Sequence, residues 1–132
     1  MDIILGIEAM GIPLAAALCL SSGKPLVVGR KREYGLPGET SIDQTTGYSK
    51  GAIYLNDIKK GDRVFVVDDV VSTGGTLLPI LQAIDRIGAV VADCWIVFEK
   101  GEGMDFVRSH GDWPLNSLVR IQMDGDKVTV LE

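Results

Sequence analysis

Residues 64–77 read VFVVDDVVSTGGTL, an apolar run followed by two carboxylates and a turn of small, hydroxyl-rich and glycine residues. Residues 63–67 (RVFVV) predict a strand, and the amphipathic pattern of residues 75–87 predicts a helix. A strand followed directly by a helix is the repeating unit of a parallel sheet. This stretch therefore decides the fold class, which we expect to be α/β.

The same alternation of apolar runs and helical patterns extends outward on both sides. Further strands are predicted at residues 2–7, 25–28, 52–55, 89–98, 118–123 and 127–131, and further helices at residues 13–21 and 103–109. Repeated strand–helix–strand units predict a mostly parallel, twisted sheet flanked by helices. The turn Asp124-Gly125-Asp126 predicts a closing antiparallel hairpin. At 132 residues, the chain is expected to form a single domain, residues 1–132.

Composition and charge narrow the classes of function. The chain is 46% hydrophobic and 23% charged with a formal net charge of −5, which is typical of a globular protein and unfavourable for nonspecific binding to nucleic acid. No apolar run approaches the roughly 20 residues of a membrane span. Acidic rather than basic residues precede the apolar run 13–20, which argues against secretion and predicts a cytoplasmic protein. Cys19 and Cys94 lie in apolar runs and are expected to be buried free thiols.

The longest stretch without an apolar period is the glycine-rich segment 33–51, which follows the basic cluster Arg30-Lys31-Arg32. A loop of this length inside a compact domain is uncommon and is usually functional. We therefore expect a flexible, functional loop over about residues 31–51.

The carboxylates and the turn predict the two ends of one ligand. In an open parallel sheet, ligands bind beyond the carboxyl ends of the strands. The N–H groups of residues 72–76, with a helix dipole behind them, suit a phosphate. Asp68 and Asp69 suit vicinal hydroxyls, or a metal held through water. A phosphate at one end and vicinal hydroxyls at the other describe a ribose 5-phosphate.

Several stretches resemble one known family. Residues 64–77 resemble the phosphoribosyl pyrophosphate (PRPP) motif of type I phosphoribosyltransferases, and residues 6–13 (GIEAMGIP) resemble their pyrophosphate-binding loop. Residues 30–39 (RKREYGLPGE) resemble the start of the catalytic loop in adenine phosphoribosyltransferases. With residues 44–51 (QTTGYSKG) and 99–103 (EKGEG), the chain is most similar to archaeal hypoxanthine/guanine phosphoribosyltransferases.

The resemblance implies roles for individual residues. Asp68 and Asp69 would hold the ribose 2- and 3-hydroxyls and, through water, Mg²⁺. The 5-phosphate would be bound by Ser72, Thr73, Gly74, Gly75 and Thr76. Pyrophosphate would be bound by Glu8, Ala9, Met10 and Gly11 and, as the loop closes, by Arg30, Lys31 and Arg32. Of these residues, the catalytic ones are expected to be Asp68, Asp69, Arg30 and Lys31.

The implied reaction is purine salvage by a homodimer: PRPP and hypoxanthine or guanine give the nucleotide and pyrophosphate. Lys100 could donate to the 6-oxo group of the base, or it could be a solvated lysine at a strand end. Ser72 stands where mammalian-type hypoxanthine–guanine enzymes carry a third carboxylate, a candidate general base, so the purine must lose its proton in another way. The same reaction on adenine or xanthine, and a PRPP-sensing regulator without turnover, remain open alternatives.

One departure from the family concerns the start of the chain. Family members carry a segment before the first core strand, and in the adenine and archaeal hypoxanthine enzymes it forms much of a hood over the base. The first strand is predicted here at residue 2. Three alternatives stay open: a shortened form that lacks this N-terminal hood, a sequence that represents only part of the protein, or a core in which residues 101–132 supply a reduced hood.

Overall fold

The computed structural model describes residues 2–30, 39–45 and 50–131, with the backbone alone at residues 40–45 and 50–53. The elements follow in the order β1 (Ile3–Ile7), α1 (Gly11–Ser22), β2 (Leu26–Gly29), β3 (Thr40–Thr45), β4 (Lys50–Leu55), β5 (Arg63–Val71), α2 (Leu77–Ile87), β6 (Val90–Lys100), α3 (Gly103–Arg108), β7 (Leu115–Asp124) and β8 (Lys127–Val130). Apart from β3, the order of strands and helices is the one that the sequence predicts.

Six strands form one sheet in the order β2-β1-β5-β6-β7-β8. Neighbouring strands are parallel except for β7 and β8, which are antiparallel. Every residue of β1 is buried, as a strand must be when both faces of its sheet are covered. The predicted α/β class, the mostly parallel sheet and the C-terminal hairpin are confirmed.

Helices cover both faces of this sheet, as two apolar clusters show. The larger cluster joins Val66 of β5 to the inner face of α2, which contributes Leu77, Leu78, Ile80, Leu81, Ala83 and Ile84. The smaller cluster joins Ile4 and Val67 to Ala15 of α1. Because successive residues of a strand point to opposite faces, Val66 and Val67 place α2 and α1 on opposite sides of the sheet.

The helices are short, and their ends lie close to the predicted positions. The main difference is that α2 begins at Leu77 rather than at residue 75, so that Pro79 lies in its first turn, where the missing N–H removes no helical hydrogen bond. The helix ends at Gly88, whose φ of 89° is in the left-handed region. None of the helices in the described part of the chain is long and apolar enough to cross a membrane.

The structure corrects the predicted end of β5. The apolar run predicted a strand that stops at Val67, but β5 continues to Val71. Its pairing with β1 does end at Val67, opposite Gly6, whereas its pairing with β6 continues until Val71 meets Glu99. A strand needs a hydrogen-bonded neighbour on one side only, so β5 continues beyond the acidic pair because β6 still pairs with it.

The long loop predicted over residues 31–51 is also corrected in part. Instead, β3 and β4 form an antiparallel ribbon outside the main sheet, with Thr40 opposite Leu55 and Thr45 opposite Lys50. Residues 31–38 and 46–49 lie outside the described residues. The sequence of β3, TSIDQT, has no apolar alternation, so its pattern did not predict a strand.

Both cysteines are free thiols, but only one is fully buried. Burial, together with the neighbouring carboxylates of Asp93 and Asp68, raises the pKa of the Cys94 thiol to about 12. Cys19 on α1 is only partly buried, which corrects the expectation of two buried thiols. Burial raises the pKa of Cys19 as well.

Candidate active site

The candidate site lies where the sheet reverses its strand order. From β1 the chain crosses over to β2 on one side, while β5 lies on the other side of β1. The connections that follow β1 and β5 therefore leave the same edge of the sheet and diverge to opposite faces. Crevices of this kind are where open α/β sheets bind ligands. Residues 8–11 follow β1 and residues 72–76 follow β5, so this topology brings two predicted anion-binding segments to one edge.

The acidic pair lies between these two segments. Asp68 and Asp69 are half-buried, and the main-chain N–H of Asp69 donates to Oδ1 of Asp68 at 2.9 Å. They are the first residues of β5 beyond its pairing with β1. Because β1 no longer covers that side of β5, the acidic pair lies at the mouth of the crevice.

Gly11 brings the segment after β1 against the acidic pair. A Cβ added at Gly11 would lie 2.9 Å from Oδ1 of Asp68 and 3.0 Å from the carbonyl oxygen of Val67, closer than side chains tolerate. Only a glycine allows this approach of the two main chains. The structure therefore joins residues 8–11 and Asp68 in one site.

The turn after β5 is compact and leads straight into α2. The N–H of Gly75 donates to Oγ1 of Thr73 at 3.1 Å, and the N–H of Leu78 donates to the carbonyl oxygen of Gly74 at 3.0 Å. Ser72 and Thr73 are exposed, whereas Gly75 and Thr76 are half-buried. Small residues at the N-terminus of an 11-residue helix can bind a phosphate group.

The segment after β1 is anchored to β2. The N–H of Glu8 donates to the carbonyl oxygen of Gly29 at 3.0 Å, and the Glu8–Ala9 peptide bond is cis. Ala9 and Met10 are exposed. Arg30 follows Gly29 directly, so its side chain starts next to this segment.

Two of the predicted basic residues, Lys31 and Arg32, lie outside the described residues. Lys100 is half-buried at the end of β6, opposite Ile121 of β7 and one residue beyond the pairing of Glu99 with Val71. The structure thus places Lys100 beside the strand end from which the turn of residues 72–76 starts.

Residue-based reasoning missed the support of the turn by α3. A Cβ at Gly103 would collide with the carbonyl group of Ser72, and one at Gly74 would lie 2.8 Å from the carbonyl oxygen of Gly103 and 2.9 Å from Cγ2 of Val107. The two main chains are therefore in direct contact. The available signal was the sequence EKGEG at residues 99–103, where Gly101 precedes a short helix and Gly103 begins it.

Comparisons with known proteins identify the family. A model of the phosphoribosyl transferase domain matches residues 1–118. The hypoxanthine/guanine phosphoribosyltransferases of Methanothrix thermoacetophila and Ferroglobus placidus are both 52% identical to this chain over 131 residues, which is 99% of this chain and 68% and 70% of theirs. The crystal structure of adenine phosphoribosyltransferase from Rhodothermus marinus superposes with a TM-score of 0.79 at 25% identity, covering 93% of this chain and 70% of that one.

The chain therefore belongs to the phosphoribosyltransferase family, whose members are glycosyltransferases. The resemblance stated from the motifs is confirmed, and so is the type I fold.

Proposed function

We propose that this chain transfers the 5-phosphoribosyl group from PRPP to hypoxanthine or guanine, producing the purine mononucleotide and pyrophosphate. The observation that carries this proposal is the contact of Gly11 with Asp68. That contact brings a segment suited to pyrophosphate and a pair of carboxylates suited to ribose hydroxyls into one crevice, with a phosphate-binding turn four residues along the chain. PRPP carries these three groups in this order.

The acidic pair would fix the ribose. Asp68 and Asp69 would accept hydrogen bonds from the 2- and 3-hydroxyls, and charged acceptors form short, strong bonds with hydroxyl donors. In the reaction, a ring nitrogen of the purine bonds to C1 of the ribose while the bond from C1 to pyrophosphate breaks and its electron pair leaves with pyrophosphate. C1 gains positive charge on the way, so two carboxylates held near the ring favour the transition state over the ground state.

The turn would hold the other end of the substrate. Main-chain N–H groups of Gly74, Gly75 and Thr76 at the start of α2, with the hydroxyls of Ser72 and Thr73, would bind the 5-phosphate. A phosphate fixed at this point and a ribose fixed at Asp68 leave C1 little freedom. Such orientation accounts for a large part of the rate enhancement in two-substrate reactions.

Cations are required at the leaving group because pyrophosphate departs with its charge. Main-chain N–H groups of residues 8–11 and the guanidinium of Arg30 would contact it, and we infer the same role for Lys31 and Arg32. Mg²⁺ would neutralise charge on the leaving pyrophosphate. Its usual ligands, one or two carboxylates with substrate phosphates and water, fit Asp68 and Asp69. The described residues contain no group of three or more His, Cys, Asp or Glu that would hold a metal without substrate.

The most specific part of the proposal is the identity of the purine. High identity to hypoxanthine/guanine enzymes supports a 6-oxopurine, and Lys100 could donate to the 6-oxo group. Structural likeness to adenine enzymes at 25% identity supports adenine less strongly. Since Ser72 supplies no carboxylate, the purine would lose its proton to another group or enter already ionised.

A steady-state assay with PRPP and each of hypoxanthine, guanine, xanthine, adenine and orotate tests the proposal. We expect turnover with hypoxanthine and guanine, and kcat/KM lower by at least about a hundredfold with adenine, because a site built to hydrogen-bond a 6-oxo group leaves that donor unpaired on a 6-amino group. Turnover with adenine alone would overturn the choice of base. PRPP binding without any turnover would instead indicate the non-catalytic regulator.

We also infer a homodimer, a property implied by the family resemblance, and a cytoplasmic location. Sedimentation equilibrium at micromolar concentration tests the homodimer, with a particle of twice the chain mass of 14.2 kDa as the expected result. A monomer at that concentration would contradict it.

A further inference from the structure

Among the described residues, Glu99 is the only charged side chain that is buried, with 3% of its surface exposed. Its Oε1 accepts a hydrogen bond from the Ser117 hydroxyl at 2.8 Å. Oε1 also lies 3.7 Å from Nη2 of Arg108, and Oε2 lies 3.6 Å from Nε of Arg120. Charged groups are rarely buried unless they are paired. The Glu99 carboxylate therefore links β6, which carries it, to β7 and α3, which carry its partners.

One of these partners belongs to the helix that supports the phosphate turn. Arg108 is the last residue of α3, and Gly103, the first, packs its main chain on the carbonyl group of Ser72. Val107 of the same helix lies against Gly74. Glu99 is also the strand partner of Val71, the residue immediately before the turn. Glu99 is thus connected to the turn of residues 72–76 in two ways: through its ion pair with α3, and through the pairing of β6 with β5.

We propose that Glu99 is a positioning residue for the 5-phosphate site. By holding Arg108 it fixes the orientation of α3, and α3 in turn fixes the main chain of residues 72–74. This inference rests on the proposed function, in which that turn binds the 5-phosphate of PRPP. Glu99 itself touches no substrate group. An apolar side chain could fill the same space and could even stabilise the fold. It would form no ion pair with Arg108 at the end of α3, however, and so would not fix the orientation of that helix.

Separate titrations with two fragments of the substrate test this role. Calorimetry measures the binding of ribose 5-phosphate, which uses the turn, and of pyrophosphate with Mg²⁺, which uses residues 8–11 on the other side of the crevice. We expect Glu99→Gln and Arg108→Gln to bind ribose 5-phosphate about tenfold more weakly, because a displaced turn presents its N–H groups less favourably to the phosphate; a tenfold change in Kd is about 1.4 kcal/mol. Pyrophosphate affinity should equal that of the unmodified protein.

A matched control is available on α3. Asp105 forms a second, exposed ion pair with Arg108, with Nη1 and Oδ1 3.0 Å apart. Asp105→Asn removes that pair and leaves Glu99 untouched, so both affinities should stay unchanged. Should Glu99→Gln fail to fold, Arg108→Gln carries the same expectation, because the Arg108 side chain is 44% exposed.

Two outcomes would overturn this inference while the proposed function stands. One is unchanged ribose 5-phosphate affinity in both variants, and the other is an equal loss for ribose 5-phosphate and pyrophosphate, which would indicate a general loss of structure. An unmodified protein that binds neither fragment would overturn the proposed function itself, and this inference with it.

Discussion

At the scale of single residues, the acidic pair has a defined geometry before any ligand arrives. The N–H of Asp69 donates to Oδ1 of Asp68 at 2.9 Å, and Gly11 packs against the same carboxylate. These contacts limit the rotation of the Asp68 side chain. Since the acidic pair lies at the mouth of the crevice, we expect the two carboxylates to fix the ribose and to contribute little to the stability of the fold.

The first prediction concerns Asp69→Asn. The amide keeps the size of the carboxylate but weakens its bonds to hydroxyls and to hydrated Mg²⁺, so kcat should fall by about a hundredfold or more, the scale of rate loss for a misplaced reacting group. The circular dichroism spectrum and the midpoint of thermal unfolding should remain those of the unmodified protein. Asp126→Asn, in the exposed hairpin turn, is the control and should retain full activity. Unchanged kinetics for Asp69→Asn would exclude the ribose assignment.

The second prediction compares two glycines with left-handed main chains. Gly74 has φ of 82° and a crowded Cβ position, whereas Gly101 has φ of 64° and no atom within 4 Å of that position. Alanine at either site loses about 1–2 kcal/mol of stability to the left-handed backbone, and overpacking at Gly74 adds about 1–3 kcal/mol. Urea unfolding measures the difference in stability between the two variants.

Gly74→Ala should also raise the KM for PRPP, while Gly101→Ala leaves it unchanged. Equal changes in KM for the two variants would mean that contact with α3 does not shape the turn.

At the scale of elements, a reciprocal pair of main-chain hydrogen bonds joins the ribbon of β3 and β4 to the main sheet. The N–H of Arg30 donates to the carbonyl oxygen of Tyr54 at 2.9 Å, and the N–H of Tyr54 donates to the carbonyl oxygen of Arg30 at 2.7 Å. This bridge fixes the main chain of a residue that we assign to pyrophosphate. Leu55, the last residue of β4, is buried in the larger apolar cluster, so the attachment of the ribbon should matter for catalysis as well as for stability.

The third prediction uses Tyr54→Pro, which removes the N–H that bonds to the carbonyl oxygen of Arg30. A proline cannot donate a ladder hydrogen bond. Because the neighbouring Leu55 belongs to the larger apolar cluster, we expect some loss of stability in urea unfolding. Under conditions in which the variant is folded, kcat/KM for PRPP should fall at least about tenfold. Tyr54→Phe keeps the main-chain bridge and is the matched control, expected to behave like the unmodified protein. A similar loss in both variants would assign the effect to the phenol rather than to the bridge.

At the scale of the whole molecule, the apolar pattern of the chain was sufficient for the class of fold and for most element positions. It failed where structure depends on partners distant in sequence. Val67 ends the apolar run, yet β5 continues to Val71 because β6 remains beside it. The polar residues 40–45 form a strand because residues 50–55 pair with them through the main chain.

In the candidate site, too, the sequence predicted what depends on neighbouring residues and missed what depends on partners distant in sequence. The local sequence around Asp68, with its glycine turn, was enough to suggest a phosphate and a ribose, because strand end, turn and helix start are contiguous there. The buried Glu99 and its distant partners Arg108 and Arg120 could not be read in this way, since an acidic residue near a strand end usually faces water. Only the assembled sheet places that carboxylate beneath α3.

The central claim is that one crevice holds PRPP at three points and passes its ribose phosphate to a purine rather than to water. The most direct measurement is the stoichiometry of products in one reaction with PRPP, Mg²⁺ and hypoxanthine, with nucleotide and pyrophosphate quantified together over time. We predict one pyrophosphate released for each nucleotide formed, and negligible release of pyrophosphate when hypoxanthine is omitted. Pyrophosphate released without nucleotide, or no release with any purine, would contradict the claim.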